Sequence, residues 1–174
     1  MVLEGHQAIV RSLCFNPVND LILLSGGIID TDLKMWDSET GKNVANLKGH
    51  KGSIYSIKML TDGWSAMSVG TDRVIQLWDL RSKQSVGSID GTAFKDMNDI
   101  SFNPSFSSSP VSGGYSGVAC VGHTDGVLSF WDLGQRKFLA SQRVHSSQEV
   151  RGVAFSVDGK YLASGGFDQM VNVM

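Results

Sequence analysis

Apolar and polar residues alternate with period two along most of this chain, a pattern typical of short β-strands. Four similar stretches show it most clearly: Leu33-Lys34-Met35-Trp36, Ile75-Gln76-Leu77-Trp78, Leu128-Ser129-Phe130-Trp131 and Val171-Asn172-Val173-Met174. No stretch as long as ten residues carries the 3.6-residue period of a helix. The pattern therefore predicts an all-β chain.

Three further sets of predicted strands recur at fixed distances from these four stretches. The first set covers 9–15, 53–59, 98–102 and 150–155; the second covers 21–25, 64–68, 118–121 and 161–164; the last covers 43–47, 84–89 and 138–142. Four short strands in a unit of about 43 residues are typical of one blade of a β-propeller. The predicted units are residues 5–48, 49–90, 91–144 and 145–174, approximately.

Polar landmarks recur in the same register as the strands. Trp-Asp pairs stand at 36–37, 78–79 and 131–132, and an Asp lies six residues before each Trp. A fourth Asp, Asp168, lies six residues before Met174, where another Trp would be expected. Gly-His pairs occupy 5–6 and 49–50, and His145 holds a similar place in the fourth unit. Several weak signals that share one register indicate an internal repeat.

These landmarks resemble the WD-repeat family over essentially the whole chain, 1–174. The resemblance implies a WD-repeat β-propeller in which His, Ser or Thr, Asp and Trp form a hydrogen-bonded tetrad within each blade. The tetrad residues it implies are His6, Ser25, Asp30 and Trp36; His50, Ser68, Asp72 and Trp78; Asp125 and Trp131; and His145, Ser164 and Asp168. The third unit has Cys120 at the Ser position and no His before its first strand, so we expect this blade to be the least rigid.

Four units are fewer than most members of the family contain, so we expect a partial propeller or half of a larger ring. Three arrangements remain open. The chain closes a four-bladed ring, two copies form an eight-bladed ring, or further polypeptide or a partner protein completes the propeller. An isolated arc would expose an apolar face at each end.

Charge and cysteine content narrow the class of partner. Fifteen Lys and Arg against seventeen Asp and Glu give a net charge of −2, so no basic excess attracts nucleic acid or an anionic membrane. We therefore expect other proteins as partners. Cys14 and Cys120 lie in apolar runs, which favours buried thiols in a reducing compartment and a cytoplasmic location. The four histidines fall at separate places without a second ligand nearby, so we expect no metal and no other cofactor.

The recurring Ser, His and Asp residues also fit a nucleophilic triad. The same trio appears in unit after unit, however, whereas catalysis needs one site. A buried His whose ring nitrogens are satisfied by Asp and Ser explains the repetition better. We expect no enzymatic activity.

Binding residues are expected at the mouth of the propeller. The family resemblance places two sets of residues there: Arg11, Tyr55, Asn98 and Arg151 on the first strands, and Ile29, Thr71, Thr124 and Phe167 before the tetrad Asp positions. Arginines beside aromatic rings suit an acidic or phosphorylated peptide. The alternative is that these arginines only pair with neighbouring acids on a solvated rim.

Two shorter resemblances suggest more specific roles. The runs 62–64, 78–81, 91–94, 145–147 and 150–151 resemble the propeller of a microtubule-associated WD-repeat protein, which implies a cytoskeletal or ciliary role with tubulin as the acidic partner. Trp78-Asp79-Leu80-Arg81 resembles the motif by which substrate receptors dock on a cullin-type ubiquitin ligase, with Asp79 and Arg81 as the adaptor contacts; the alternative is that Arg81 only pairs with the Asp at the outer turn of the blade. A purely structural place in a large assembly is the third alternative.

The third unit also contains a serine-rich insertion. Between Phe102 and Cys120 it holds about eight residues more than the other units, with the Ser-rich loop at 104–115. Ser109, which precedes Pro110, is a candidate phosphorylation site, and a plain tolerated insertion is the alternative.

Overall fold

The computed structural model describes residues 1–104 and 117–174. Within these residues fifteen strands form four antiparallel sheets, which are the blades. Blade 1 contains β1 (Val10–Phe15), β2 (Ile22–Gly27), β3 (Leu33–Asp37) and β4 (Asn43–Leu47), and blade 2 contains β5 (Ile54–Met59), β6 (Ser65–Gly70), β7 (Val74–Asp79) and β8 (Gln84–Asp90). Blade 3 contains β9 (Met97–Phe102), β10 (Val118–His123), β11 (Val127–Asp132) and β12 (Lys137–Arg143), and blade 4 contains β13 (Val150–Phe155), β14 (Leu162–Gly166) and β15 (Val171–Val173).

The all-β prediction is confirmed, and every predicted strand begins and ends within two residues of an observed one. In each blade the strands follow one another in sequence order across the sheet. The chain forms two compact units, Met1–Gly91 with blades 1 and 2 and Thr92–Met174 with blades 3 and 4. Among the described residues, blade 4 has three strands where the other blades have four.

Every blade carries a β-bulge near the start of its first strand. In blade 1 the pairing with β2 passes from Val10 to Ser12 and omits Arg11, and in blade 2 it omits Tyr55 between Ile54 and Ser56. The same irregularity omits Asn98 in blade 3 and Arg151 in blade 4. A bulge leaves one residue unpaired and redirects its side chain, so all four blades present one residue in the same way.

The core of the first unit lies between its two sheets. Leu24, Leu33 and Met35 of blade 1 pack with Ile54 and Ile57 of blade 2, and all five are buried. A Cβ at Gly26 would lie 2.6 Å from the Ile54 Cγ2 atom, so the absence of a side chain there lets the blades approach closely.

The second unit repeats this packing with different residues. Cys120 and Leu128 of blade 3 contact Val150 and Val153 of blade 4. At the position equivalent to Gly26, a Cβ on Gly122 would lie 2.7 Å from Val150 Cγ1. Polar links repeat as well, and join equivalent positions: Ile57 N–H donates to Ser12 Oγ at 3.0 Å, and Val153 N–H donates to Asp99 Oδ2 at 2.9 Å.

Candidate functional site

A chain of hydrogen bonds crosses blade 2 from Trp78 to Asp72. Trp78 Nε1 lies 2.8 Å from Ser68 Oγ, which lies 2.6 Å from His50 Nε2, and His50 Nδ1 lies 2.8 Å from Asp72 Oδ2. In blade 1 the corresponding distances are 2.7 Å for Trp36–Ser25, 2.5 Å for Ser25–His6 and 2.6 Å for His6–Asp30. The structure thus brings together both four-residue sets that the resemblance implied.

The direction of each bond in this chain follows from the donors available. The indole N–H of Trp78 donates to Ser68 Oγ, so the single hydroxyl proton of Ser68 is free to donate to His50 Nε2. His50 therefore carries its proton on Nδ1 and donates it to Asp72 Oδ2. Although burial of the Asp72 carboxyl opposes the change, this bond from His50 holds the pKa of Asp72 below its ordinary value.

Blade 4 contains the same series of hydrogen bonds, but without a tryptophan. His145 Nε2 lies 2.9 Å from Ser164 Oγ, and His145 Nδ1 lies 2.8 Å from both carboxylate oxygens of Asp168. The hydrogen bond from His145 lowers the pKa of Asp168. Met174 stands at the Trp position, and Asn172 Nδ2 comes within 3.5 Å of His145 Nε2.

Blade 3 contains a different series of hydrogen bonds, which the sequence pattern did not predict. Trp131 Nε1–H donates to Ser129 Oγ at 2.7 Å, and Ser129 lies 2.6 Å from His123 Nε2. His123 Nδ1–H donates to the Lys95 carbonyl at 3.0 Å. The serine comes from the third strand and the histidine from the second strand. A Ser two residues before the Trp, and a His where blades 2 and 4 have Gly70 and Gly166, were the available signals.

The placement of Cys120 at the Ser position is wrong by one residue. Val121 pairs with Ser129, as Ser68 pairs with Gln76, so Val121 occupies that position. Cys120 points into the apolar core of its unit instead, where burial raises the pKa of its thiol. The sequence does not mark where the strands pair, so it did not distinguish Cys120 from Val121 at this position. The other predicted thiol, Cys14, is partly buried.

Aromatic rings surround the chain of blade 3. Phe94 stacks on His123 with ring centroids 4.9 Å apart and contacts the Trp131 ring edge-on at 5.7 Å. Asp125 does not contact a histidine; Arg143 binds its carboxylate and its carbonyl oxygen. His123 is fully buried, and this burial lowers its pKa, so its neutral form is favoured.

The Ser–His–Asp trios have hydrogen-bond lengths that fit a triad, but the serines are poorly placed for nucleophilic attack. Ser25, Ser68 and Ser164 are all buried. In blades 1 and 2 the serine oxygen also accepts the tryptophan N–H, and a substrate carbonyl cannot reach it. These trios therefore stabilise the blades.

The first unit brings Arg11 and Tyr55 together. The Arg11 guanidinium carbon lies 5.2 Å from the centre of the Tyr55 ring, and both residues occupy the bulge positions described above. Within the described residues Arg11 has no carboxylate partner. Ile29 is 71% exposed with φ of 72° and donates its N–H to Ser53 Oγ, while the Thr71 hydroxyl accepts the Ser53 N–H.

The second unit treats its equivalent residues differently. Arg151 lies 4.5 Å from the Phe167 ring centre and forms an ion pair of 2.6 Å with Glu149. Asn98 is buried, and its amide donates to the Val150 carbonyl, so this residue links the two blades of its unit. Thr124 donates its backbone N–H to the Asp96 carbonyl.

The candidate adaptor contacts bind each other. Arg81 donates from Nε and one terminal nitrogen to the two carboxylate oxygens of Asp79, each at 3.1 Å, and its guanidinium lies 5.8 Å from the Trp64 ring centre. The hydrogen bond from Arg81 lowers the pKa of Asp79.

Three features remain: metal ligands, membrane-spanning helices and the serine-rich loop. No cluster of three potential metal ligands occurs in residues 1–104 and 117–174. In the same residues, no helix has the length and apolar character needed to cross a bilayer. Ser109 and nearly all of the 104–115 loop lie outside the described residues.

Sequential four-stranded blades with this hydrogen-bonded chain define a β-propeller repeat protein. The family model for the WD domain, G-beta repeat, matches residues 1–37, 41–79 and 136–173, which is more than half of the chain. The chain therefore belongs to the WD40 repeat family, whose repeats serve as scaffolds for protein interactions. The matched ranges omit residues 80–135, which include most of blade 3, where the hydrogen bonds run through Ser129 and His123.

Curated relatives support this assignment. Pre-mRNA-processing factor 19 homolog 2 of Arabidopsis thaliana is 28% identical over 163 residues, which cover 91% of this chain and 28% of the relative. Pre-mRNA-processing factor 19 of Oryza sativa subsp. japonica is 29% identical over 171 residues, covering 98% of this chain and 30% of the relative. Transducin beta-like protein 3 of Bos taurus is 26% identical over 151 residues, 86% of this chain and 18% of the relative. The chain thus spans less than a third of the length of these relatives.

Proposed function

We propose that this chain is a non-enzymatic scaffold that captures an acidic peptide segment through the bulge residues Arg11 and Tyr55 at the start of blades 1 and 2. The proposal rests on the contacts that the Arg11 guanidinium makes and on those that it lacks. Its guanidinium lies over the Tyr55 ring, and none of the described carboxylates pairs with it. An arginine held against an aromatic ring is ordered before binding, so it offers two parallel N–H donors to a carboxylate at a small entropic cost.

Arg151 is the weaker of the two arginines for this role. Its charge is already matched by Glu149 at 2.6 Å, which is the rim pairing that the sequence analysis left open as an alternative. An incoming carboxylate must displace Glu149 before it binds Arg151. The affinity for an acidic peptide is therefore expected to depend mainly on Arg11 and Tyr55.

The first prediction concerns Arg11→Gln. We expect the affinity for a polyglutamate peptide to fall about tenfold, since one charge-assisted contact is lost, and the dependence of affinity on salt to flatten. Isothermal titration calorimetry at two or more salt concentrations measures both. Arg143→Gln is the matched control, because Arg143 is exposed and binds Asp125 instead. Equal affinities for wild-type protein and the Arg11 variant would overturn the proposal.

The resemblance to nemitin, a microtubule-associated WD-repeat protein, suggests a tubulin tail as the acidic segment and a cytoskeletal or ciliary location. The names of the curated relatives point to pre-mRNA processing instead. Co-sedimentation with microtubules that weakens in Arg11→Gln would support tubulin. Polyglutamate binding without co-sedimentation would retain the scaffold and remove tubulin as its partner.

A substrate receptor of a cullin-type ubiquitin ligase is the second candidate. The mutual bidentate contact of Asp79 and Arg81 accounts for both side chains without an adaptor, and makes this candidate weaker. A purely structural component of a large assembly is the third. It would show no affinity for free peptides but a fixed position in the assembly.

A further inference from the structure

A basic groove lies on the outer part of the first unit. It shares no residue with the Arg11–Tyr55 pair. Its volume is about 330 Å³, and the residues that line it are Asn46, Lys48, Lys83, Gln84 and Ser85. The first two belong to β4 and its end, and the others belong to the turn between β7 and β8 and the start of β8. Both blades of the unit therefore contribute to the groove.

The groove contains positive charge without a neutralising acid. No carboxylate lines it, and neither Lys48 nor Lys83 forms an ion pair with any described residue. Lys34, which is 9% exposed, places its ammonium nitrogen 3.5 Å from Asn46 Oδ1. A third cation therefore contacts a residue that lines the groove. The acid nearest in the sheet register is Asp79, which pairs with Gln84, and Arg81 already binds both of its oxygens.

Two of the lining residues are held in place by local structure. Lys83 adopts a positive φ of 57° at the tight turn before β8, which fixes its backbone. The Gln76 side chain donates to Ser85 Oγ and holds the serine against the sheet. The Ser85 hydroxyl donates to the Gly87 carbonyl, so the donors left for a ligand are the lysine ammonium groups and the side-chain amides, which match a group with several anionic oxygens. An apolar ligand would find few contacts here.

We propose that this groove binds the phosphoryl group of a phosphorylated serine or threonine segment on a partner protein. The phosphoryl group presents three strong acceptor oxygens and a charge between −1.5 and −2, approximately, at neutral pH. Two exposed lysines balance that charge, and the amides of Asn46 and Gln84 provide further donors. The groove lies beside β4 and β8, which are edge strands of blades 1 and 2.

The test is an NMR titration of the ¹⁵N-labelled 174-residue chain at constant ionic strength. The probes are inorganic phosphate, a phosphoserine peptide and the same peptide without phosphate. We expect amide shifts at 46–48 and 83–85 with the first two probes. The double variant Lys48→Gln/Lys83→Gln should bind the phosphopeptide at least about tenfold more weakly, because two charged donors are lost.

The matched control is Lys42→Gln/Lys51→Gln, which removes two exposed lysines of the same unit outside the groove. It should retain the wild-type affinity, and so should Arg11→Gln. Three results would overturn the proposal: equal binding of the two peptides, equal loss in both double variants, or binding to vesicles with phosphorylated inositol lipids but not to the phosphopeptide. The last result would assign the groove to a membrane surface.

Discussion

At the scale of single residues, the blades satisfy their buried Trp and His nitrogens in two ways. A buried indole N–H and a buried imidazole each need partners, and an unsatisfied group costs about 1–3 kcal/mol. Blades 1 and 2 end the chain at an aspartate, while blade 3 ends it at the neutral Lys95 carbonyl. A carboxylate stabilises a charged imidazole more than a neutral carbonyl does. Blade 3 is therefore the blade most sensitive to protonation of its histidine.

The residue-scale prediction follows from the lowered pKa of His123. Folding favours its neutral form, so its contribution to the free energy of unfolding is complete above the ordinary value of 6.5. That contribution is lost as pH falls from 6.5 toward the lower pKa of the folded state. We expect the stability difference between wild-type protein and His123→Gln to shrink by up to about 1.4 kcal/mol per pH unit in this range. Urea unfolding at several pH values measures it; a difference independent of pH would contradict the prediction.

At the scale of strands and sheets, small residues decide how closely two blades pack. Gly26 in the first unit and Gly122 in the second occupy equivalent positions, and each faces a β-branched side chain of the next blade. Gly165 is the equivalent position in blade 4, where the nearest atom to an added Cβ is the Met170 carbonyl oxygen at 4.0 Å. The same residue type therefore has a different structural role in different blades.

The element-scale prediction compares two identical substitutions. Gly122→Ala places a methyl group 2.7 Å from Val150 Cγ1, and we expect it to lower the free energy of unfolding by about 1–3 kcal/mol. Gly165→Ala is the matched control and should change it by less than about 0.5 kcal/mol. Chemical denaturation of both variants gives the comparison. Equal effects would show that contact between blades 3 and 4 does not depend on Gly122.

The bulges show how much of the site was predictable. The family resemblance implied Arg11, Tyr55, Asn98 and Arg151 as one set, and each is the unpaired residue of a bulge. Their different contacts were not predictable. Arg151 meets Glu149 and Asn98 meets the Val150 carbonyl because of side-chain directions that no spacing in the sequence encodes.

At the scale of the whole molecule, two apolar surfaces are exposed among residues 1–104 and 117–174. On blade 1, Leu13 and Phe15 are 64% and 58% exposed, whereas the equivalent Ile57 and Met59 of blade 2 are buried against blade 1. On blade 4, Val171 and Val173 are exposed, whereas the equivalent Leu33 and Met35 of blade 1 are buried. Apolar faces that are covered in one blade are thus bare in another, and exposed apolar faces of this kind are typical of contact surfaces.

The whole-molecule prediction is that the 174-residue chain associates in solution as its concentration rises. The double variant Leu13→Lys/Phe15→Lys should reduce this association, since it places charge on a bare apolar face while leaving the buried core intact. Light scattering over a range of concentrations measures the mass. The matched control is Val18→Lys/Leu21→Lys, which adds the same charge at two exposed apolar residues outside β1. A monomer at all concentrations would contradict the prediction.

The sequence by itself determined the repeat and the strands, because these depend on period-two alternation and on residues at fixed spacing, and its resemblance to the WD-repeat family implied two complete tetrads. It also marked the bulge positions as one set. Only the tertiary structure decided the rest: the hydrogen bonds through His123 and Ser129, the position of Val121 in place of Cys120, and the basic groove of the first unit. These features arise where side chains from different strands or different blades meet. Their distances depend on sheet register and blade packing, which a local pattern of residues does not specify.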